Sequence, residues 1–500
     1  MGELTVDRVL VGGAWTRPTG PEIRVLSPST EEPALRVVDA GPEDIDRAVA
    51  AARKAFEQSP WRAMTPRQRA DVLLPVADEL GRRWAGEIAP AFTQVCGTPT
   101  TVAHAFSGGA FGIFADLART VADFEAEKAV YGVGGRSGIG HPAQLVYEPV
   151  GVVAAIAPWN GQLYLTLTKL LPALVAGCTV VAKPSPETAI EATILAEALQ
   201  AAGIPDGVVN ILPGGREAGQ RLVSHPDVDL VAFTGSTAAG KAIMASVSSR
   251  LARLSLELGG KSAGIVLDDV DTATVAGQLL SGTALMTGQA CALLSRILVP
   301  RTRQDEIAEA FSAAIGSVPF GDPIDPATMM GPLVNKAGMQ HALDLIESGK
   351  AEGATLVRGG GRPNGYDRGW YVEPTVFKDV ENTMRIAREE VFGPVYAIVA
   401  YDTEEQAIAI ANDSPFGLAG AVFSTDDARA DRVVRSVRAG VMSINGFGLD
   451  PGIPFGGYKQ SGIGREGGVE GLRMFTEIKA IHRPAAHPLT NGPALAASAH

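Results

Sequence analysis

Cys291 stands in MTGQACALLSR (286–296), between two alanines and just ahead of two leucines. A thiol there can be a nucleophile, because a thiolate attacks carbonyl carbon readily, or a small apolar filler, the commoner fate of a free cysteine. Three further groups have types suited to the same chemistry. Glu257, in LELGGKS (256–262), is flanked by leucines and followed by two glycines. A carboxylate in apolar surroundings has a raised pKa and can act as a general base near neutrality; the alternative is a buried structural ion pair. Asn160, in APWN (157–160), follows a β-branched run and carries two uncharged N–H groups, as an oxyanion donor or simply as a helix N-cap. LVAFTGSTAAGKAIM (230–244) reads as strand, turn and helix, with Gly235 in the turn, Ser236 as N-cap and Gly240 on the helix. Free N–H groups at such a helix start suit a phosphate, and an ordinary strand–turn–helix corner has the same pattern. Lys183 closes the strand TVVAK, where α/β sheets bind ligands, and could reach ribose hydroxyls or lie solvated on the surface.

Such groups need elements to hold them. Apolar residues at three- and four-residue spacing predict helices over 43–57, 65–95, 101–125, 188–202, 302–316, 335–350, 404–412 and 427–438. Short β-branched runs predict strands at 152–157, 179–183, 208–212, 230–234, 263–268, 295–300 and 394–401. Strands alternating with helices imply parallel sheets, here in two blocks, roughly 150–257 and 263–445, with the Gly-Gly of LELGGKS near the seam. The GxGxxG pattern at 462–467 is a decoy as a dinucleotide fingerprint: it follows GGYKQS rather than a strand, and no acidic strand end comes about twenty residues later.

Composition excludes several classes. The 500 residues carry 43 basic and 55 acidic groups, a net charge of -12, with no basic block, which argues against nucleic acid. Cys96, Cys178 and Cys291 are far apart, giving neither a disulfide framework nor a metal pair. The N-terminus has no leader pattern and no apolar run is long enough to span a membrane, so a cytoplasmic protein without bound metal is expected.

Taken together, the motifs resemble the aldehyde dehydrogenase superfamily. The match is collinear up to about residue 480: APWN (157–160), AKPSPET (182–188), FTGSTAAG (233–240), LELGGKS (256–262), GQAC (288–291), EEVFGPV (389–395), PFGGYKQSG (454–462) and FTEIK (475–479), with 34 residues from Glu257 to Cys291. The resemblance implies two doubly wound α/β domains and a small β arm. The cofactor domain would comprise 1–126 and 148–258, the catalytic domain 259–459, and the bridging segments 127–147 and 460–490, before a disordered tail at 491–500. It implies that Cys291 attacks an aldehyde, that Asn160 and the Cys291 backbone N–H hold the oxyanion, that hydride passes to NAD, or to NADP, and that Glu257 activates water against the thioester. Lys169 and Glu477 match positions implicated in proton relay. Lys183, Ser236, Glu390 and Phe392 match cofactor contacts, and the same motifs place Ala157, Pro158, Trp159, Ser185, Glu187, Phe233, Gly235, Gly240, Leu258 and Gly259 around the cofactor. A homodimer or homotetramer is implied.

Three positions depart from the family pattern. Pro186 stands where a ribose-binding glutamate is common, with Glu187 one place later, pointing to NAD preference with NADP tolerance. Met286 replaces a common asparagine. The aldehyde tunnel, expected from Gly161, Leu165, Thr168, Leu285, Ala290, Ala292 and Phe455, looks poor in aromatics, which suits a bulky aliphatic, terpenoid or aromatic aldehyde. The rival readings are a thiol esterase using Cys291 and a non-catalytic binding or structural protein on the same fold.

Overall fold

The computed structural model describes residues 2–131 and 142–482. Two large sheets dominate. The first has eight strands, in the order Gly462–Ile463, Arg253–Glu257, Leu230–Thr234, Val152–Ala157, Thr179–Pro184, Val209–Ile211, Val9–Val11, Ala14–Thr16. Its five central strands are parallel, and both edges are antiparallel. From Val152–Ala157 the chain winds outward one way through Thr179–Pro184 and Val209–Ile211, then returns to the other side at Leu230–Thr234. The order therefore reverses between Val152–Ala157 and Leu230–Thr234, and a crevice opens at such a point beyond the strand ends. Those two ends deliver Pro158-Trp159-Asn160 and Gly235-Ser236.

The second sheet has seven strands: Thr355–Arg358, Thr375–Lys378, Val395–Tyr401, Leu294–Pro300, Ser262–Val266, Ala419–Phe423, Val441–Ile444. All pairings but that of Thr355–Arg358 are parallel. The central strands of both sheets are buried end to end, as parallel strands covered by helices on both faces must be. Only Leu258–Lys261 separates the last parallel strand of the first sheet from the first strand of the second, so the Gly-Gly pair does lie at the seam. A third, antiparallel sheet joins Glu127–Tyr131, Pro142–Pro149 and Thr476–His482. A fourth, near the N-terminus, joins Leu4–Val6, Pro33–Val38 and Glu22–Leu26.

The structure redraws some expected boundaries. The helix expected over 65–95 is Pro66–Leu73, Pro75–Arg83, a wide turn Trp84–Ile88, and Ala89–Cys96. Pro75 has no N–H to continue the ladder, and so it restarts the helix. The bridging segment expected over 460–490 divides. Gly462–Ile463 pairs with Leu256 and Glu257 on the edge of the first sheet. Helix Gly468–Arg473 packs on helices Thr100–Asp123 and Gln162–Ala176. Only Thr476–His482 reaches the small sheet. Residues 132–141 of the expected arm, 483–490 and the expected tail 491–500 lie outside the described residues. Among the described residues, no helix is long and apolar enough to cross a membrane.

Candidate active site

Cys291 lies three residues before strand Leu294–Pro300, at the end of a tightly held turn. Met286, Thr287 and Gly288 all have left-handed backbones, with φ of 53°, 55° and 80°. Two consecutive non-glycine residues in that region cost roughly 1–3 kcal/mol each, so their surroundings must impose the conformation. The Gly331 N–H donates to Thr287 Oγ1 at 2.9 Å, the Val334 N–H to Gln289 Oε1 at 2.9 Å, and Gln289 Nε2 to the Met286 carbonyl at 3.1 Å. Met286 is buried, and the Thr98 hydroxyl donates to its sulfur at 3.5 Å. The departure at this position thus places an apolar residue where the left-handed backbone favours asparagine. At Gly288 a Cβ would strike Gly393, so only glycine fits.

Asn160 follows strand Val152–Ala157 and donates Nδ2 to the Gln289 carbonyl at 3.0 Å, two residues before the thiol. That bond ties the Asn160 amide to the turn that carries Cys291. Burial pushes the Cys291 thiol well above its ordinary range, and the carboxylates of Glu390, Glu257 and Glu466 push it further.

Glu257 ends strand Arg253–Glu257 and is 2% exposed, and neither carboxyl oxygen has a hydrogen-bond partner among the described residues. Burial raises its pKa well above the usual value. Glu466 raises it further, while Lys169 and Arg465 pull it back. Such surroundings favour the neutral carboxyl over the carboxylate. Lys169 Nζ, fully buried on helix Gln162–Ala176, donates to Glu466 Oε1 and to Thr234 Oγ1, both at 2.6 Å. Glu477, matched with Lys169 to proton-relay positions, is not brought to Lys169: it lies in strand Thr476–His482 and pairs with Arg253 at the surface. Its side chain is half exposed. Glu466 is the residue that sequence reading missed. It sits in GIGREG, the pattern set aside as a decoy, whose antiparallel pairing with Leu256 and Glu257 brings it to the base.

A cavity of about 820 Å³ runs from Trp159 between helices Arg216–Ser224 and Thr237–Val247. Of the expected cofactor residues, Ala157, Pro158, Trp159, Lys183, Ser185, Phe233, Gly235 and Ser236 line it. Ser236 caps the second helix by accepting from the Ala239 N–H at 3.2 Å, leaving earlier N–H groups for a phosphate. A Cβ on Gly240 would come within 2.6 Å of Leu258, so glycine there lets the helix close on the strand end. Burial lowers the Lys183 pKa to about 8 against the pull of Glu187 and Asp39, and its ammonium donates to the Gly214 carbonyl at 2.6 Å. Glu187 does not line the cavity; Pro186 does, with the unanticipated Arg216. At the catalytic end, Trp159 and Phe392 stand edge to face, 6.0 Å between ring centres, across the two domains. The Gly260 N–H donates to Glu390 Oε1 at 3.0 Å. Burial raises the Glu390 pKa to about 7, with Gly260 and Lys261 opposing. A cradle of this length, with a helix start at its middle, a lysine at one end and an aromatic pair at the other, fits a dinucleotide.

On the aldehyde side, a Cβ on Gly161 would strike the Leu165 side chain, so the two share one space. The Thr168 hydroxyl donates back to the Leu165 carbonyl at 3.1 Å. Ala290 is half-buried beside the thiol, and Leu285 is exposed. Ala292 is spent on packing against Leu418 and Ala419. Phe455 and the unanticipated Phe447 pack near Cys291. Tyr164 lies over Gly109 and close enough for its hydroxyl to feel the Cys291 charge. The site is therefore less poor in aromatics than positions 161 and 168 suggested.

The aldehyde dehydrogenase family model matches residues 15–481. Geranial dehydrogenase of Castellaniella defragrans is 43% identical over 486 residues, covering 96% of this chain and 99% of that one. Among solved structures, the Mycobacterium tuberculosis aldehyde dehydrogenase complexed with NAD+ superposes with a TM-score of 0.93 at 42% identity, covering 98% and 100%. A mutant of aldehyde dehydrogenase C from Pseudomonas syringae, in complex with NAD+ and octanal, gives 0.91 at 37%, covering 97% and 98%. The chain belongs to the aldehyde dehydrogenase family and is an NAD(P)-dependent enzyme of aldehyde oxidation.

Proposed function

We propose that Cys291 is the nucleophile for a bulky, apolar aldehyde, with NAD as the preferred oxidant and NADP accepted. The observation that carries this reading is the convergence of three groups: the half-buried Cys291 thiol, the Asn160 amide tied to the same turn at 3.0 Å, and the Glu257 carboxyl, whose charge acts on that thiol and whose oxygens have no hydrogen-bond partner among the described residues. Cys291 forms the carbon–sulfur bond, and the Asn160 amide with the Cys291 backbone N–H takes the charge that develops on oxygen. Donors aimed at that charge act on the transition state, and losing one costs roughly 10²–10³ in rate. The bound nicotinamide supplies the acceptor for the hydride, which leaves a thioester on Cys291. Glu257 takes a proton from the attacking water, and the Lys169–Glu466 pair leads that proton away. Glu390 holds its place through the Gly260 N–H, and Trp159 and Phe392 bracket the ring site.

The substrate reading rests on Gly161 and Thr168, and on relatives whose names refer to geranial and octanal. The cofactor reading rests on the cavity lining, which among the described residues includes Pro186 and Arg216 but no Asp or Glu, with Glu187 and Asp39 acting on Lys183 from behind it. Arg216 has no hydrogen-bond or ion-pair partner among the described residues, so a 2′-phosphate would meet an available guanidinium. A homodimer or homotetramer is supported by the outer strand Val441–Ile444, with Ile444 exposed, and by exposed Ile478 on the small sheet; light scattering after size exclusion tests it. The function itself is tested by following reduced nicotinamide over a panel from acetaldehyde to terpenoid and aromatic aldehydes, with both cofactors. Turnover should peak with bulky aldehydes, and C291A should abolish it. Thioester accumulation in E257Q should trap the acyl-enzyme. A peak at acetaldehyde, or turnover that survives C291A, contradicts the proposal.

A further inference from the structure

Asp39 stands behind the cofactor cavity, and the chemistry assigned above does not use it. It follows strand Pro33–Val38 and is 7% exposed. Its backbone is held on both sides: the N–H donates to the Pro21 carbonyl at 2.9 Å, and the carbonyl accepts from the Gly20 N–H at 3.1 Å. The side chain therefore starts from a fixed point. Its Oδ1 accepts from the Gly215 N–H at 2.9 Å. A Cβ on Gly214 would come within 2.7 Å of the same oxygen, and one on Gly215 within 3.0 Å of Oδ2, so the carboxylate lies against both glycines.

That turn serves two groups that face the cofactor. The Gly214 carbonyl accepts from the Lys183 ammonium at 2.6 Å, and Gly215 leads into helix Arg216–Ser224, whose first residue lines the cavity. The Lys183 stem passes the same helix, where a Cβ on Gly219 would meet its Cε at 3.4 Å. The ammonium's hydrogen-bond partners among the described residues, the carbonyls of Gly214 and Pro184, are neutral. Its counter-charge acts through space, from Glu187 first and Asp39 second. Of these two carboxylates only Asp39 also holds the turn. Lys183 in return favours the ionised Asp39, which burial and Glu217 oppose. Burial brings the Lys183 pKa down to about 8, so its charge in mildly alkaline buffer depends on those neighbours. A neutral amine can still hydrogen-bond ribose hydroxyls, whereas a phosphate is held through the ammonium's charge.

We propose that Asp39 is a positioning residue for the adenosine end of the cavity: it fixes the Gly214–Gly215 turn, supplies counter-charge to the Lys183 ammonium, and so sets how far into alkaline pH a 2′-phosphate is held. The proposal rests on the assignment of Lys183 to the adenosine ribose. It makes cofactor choice in this protein a function of pH.

Two measurements test it. Competitive labelling of Lys183 by acetic anhydride, read by mass spectrometry on the cofactor-free protein, follows the free amine across pH. Its midpoint should lie at about pH 8 in the wild type and lower in D39N, which keeps an oxygen for the Gly215 N–H and removes the charge. D39S, also uncharged, stands in if D39N does not fold. Titration calorimetry without aldehyde then compares NADP with NAD. Where only the ammonium holds the 2′-phosphate, a midpoint lowered by one pH unit weakens NADP roughly fivefold near pH 8 and leaves NAD within about twofold. In a K183M background D39N should no longer change the pH dependence of NADP binding. A Lys183 midpoint unchanged in D39N overturns the proposal whichever cofactor binds. A lowered midpoint with unchanged NADP affinity in alkaline buffer also overturns it. Wild-type protein that binds NAD but not NADP overturns the reading of the cavity wall, and the proposal with it, while the labelling midpoint stays readable.

Discussion

Glu191 is the most out-of-place charge in the cofactor domain, and replacing it with glutamine should stabilise the protein in a pH-dependent way. It lies on helix Ala189–Ala201, is 1% exposed, and neither carboxyl oxygen has a partner among the described residues. Burial raises its pKa to about 8 from the usual 4.5. Below pH 4.5 both the folded and unfolded chains hold the proton, and the residue is neutral to stability. Between these values the unfolded chain ionises while the folded chain does not, so stability falls by about 1.4 kcal/mol for each pH unit. By pH 7.5 the accumulated cost is at most about 4 kcal/mol. Unfolding entropy of about 2 cal/mol/K per residue makes 1 kcal/mol worth roughly 1 °C in a chain of this length. E191Q removes the titration and keeps the shape, and its amide can seek Thr93 Oγ1, a buried hydroxyl without a partner on the neighbouring helix Ala89–Cys96. Differential scanning fluorimetry from pH 5 to 8.5 should show a Tm gain near zero at pH 5 that grows to about 3–4 °C near pH 8. A gain independent of pH, or a variant less stable than wild type at pH 8, would refute the reasoning.

Three further outcomes are expected. Glu466 raises the Glu257 pKa and Lys169 lowers it, so the acidic limb of thioester hydrolysis should move to lower pH in E466Q and to higher pH in K169M. Single-turnover rates across pH read this, and shifts in the same direction would mean general disruption of the pair. R216A should raise KM for NADP by roughly 10–100-fold, the worth of a hydrogen bond between charged groups, while leaving KM for NAD within about twofold; parallel initial-rate measurements decide it. G161F should displace Leu165 and lower kcat/KM for a terpenoid aldehyde at least tenfold, about 1.4 kcal/mol, with acetaldehyde little changed. Equal losses for both substrates would place residue 161 outside the tunnel.

Much of the cofactor cleft was legible because its parts are local: a strand, a turn and a capped helix lie within one stretch at 230–244, and Ser236 caps as its type suggests. Lys183 and Trp159 were legible for the same reason, each standing at a parallel strand end. What escaped depends on distant segments meeting. Lys169 and Glu466 are 297 positions apart, and nothing in either neighbourhood names the other. Glu477 looked equally suitable as a residue type, and only the strand it occupies, paired with Pro142–Pro149, carries it away from the site. Arg216 opens a helix that the periodicity did not single out. Met286 was legible as a departure but not as strain, because the left-handed turn is imposed by Gly331 and Val334 from outside it.

Phe455 and Glu466 exchange backbone hydrogen bonds at 2.7 Å in both directions. One residue packs beside the nucleophile, and the other holds the buried lysine next to the base. Substrate choice and hydrolysis are therefore not separate modules in this protein. A lineage that remodels 447–455 for a new aldehyde must preserve the posture of 466, or lose turnover while keeping affinity. Directed evolution for altered substrate range should accordingly recover paired changes in these two segments, and libraries that vary one alone should be rich in variants that acylate and then stall.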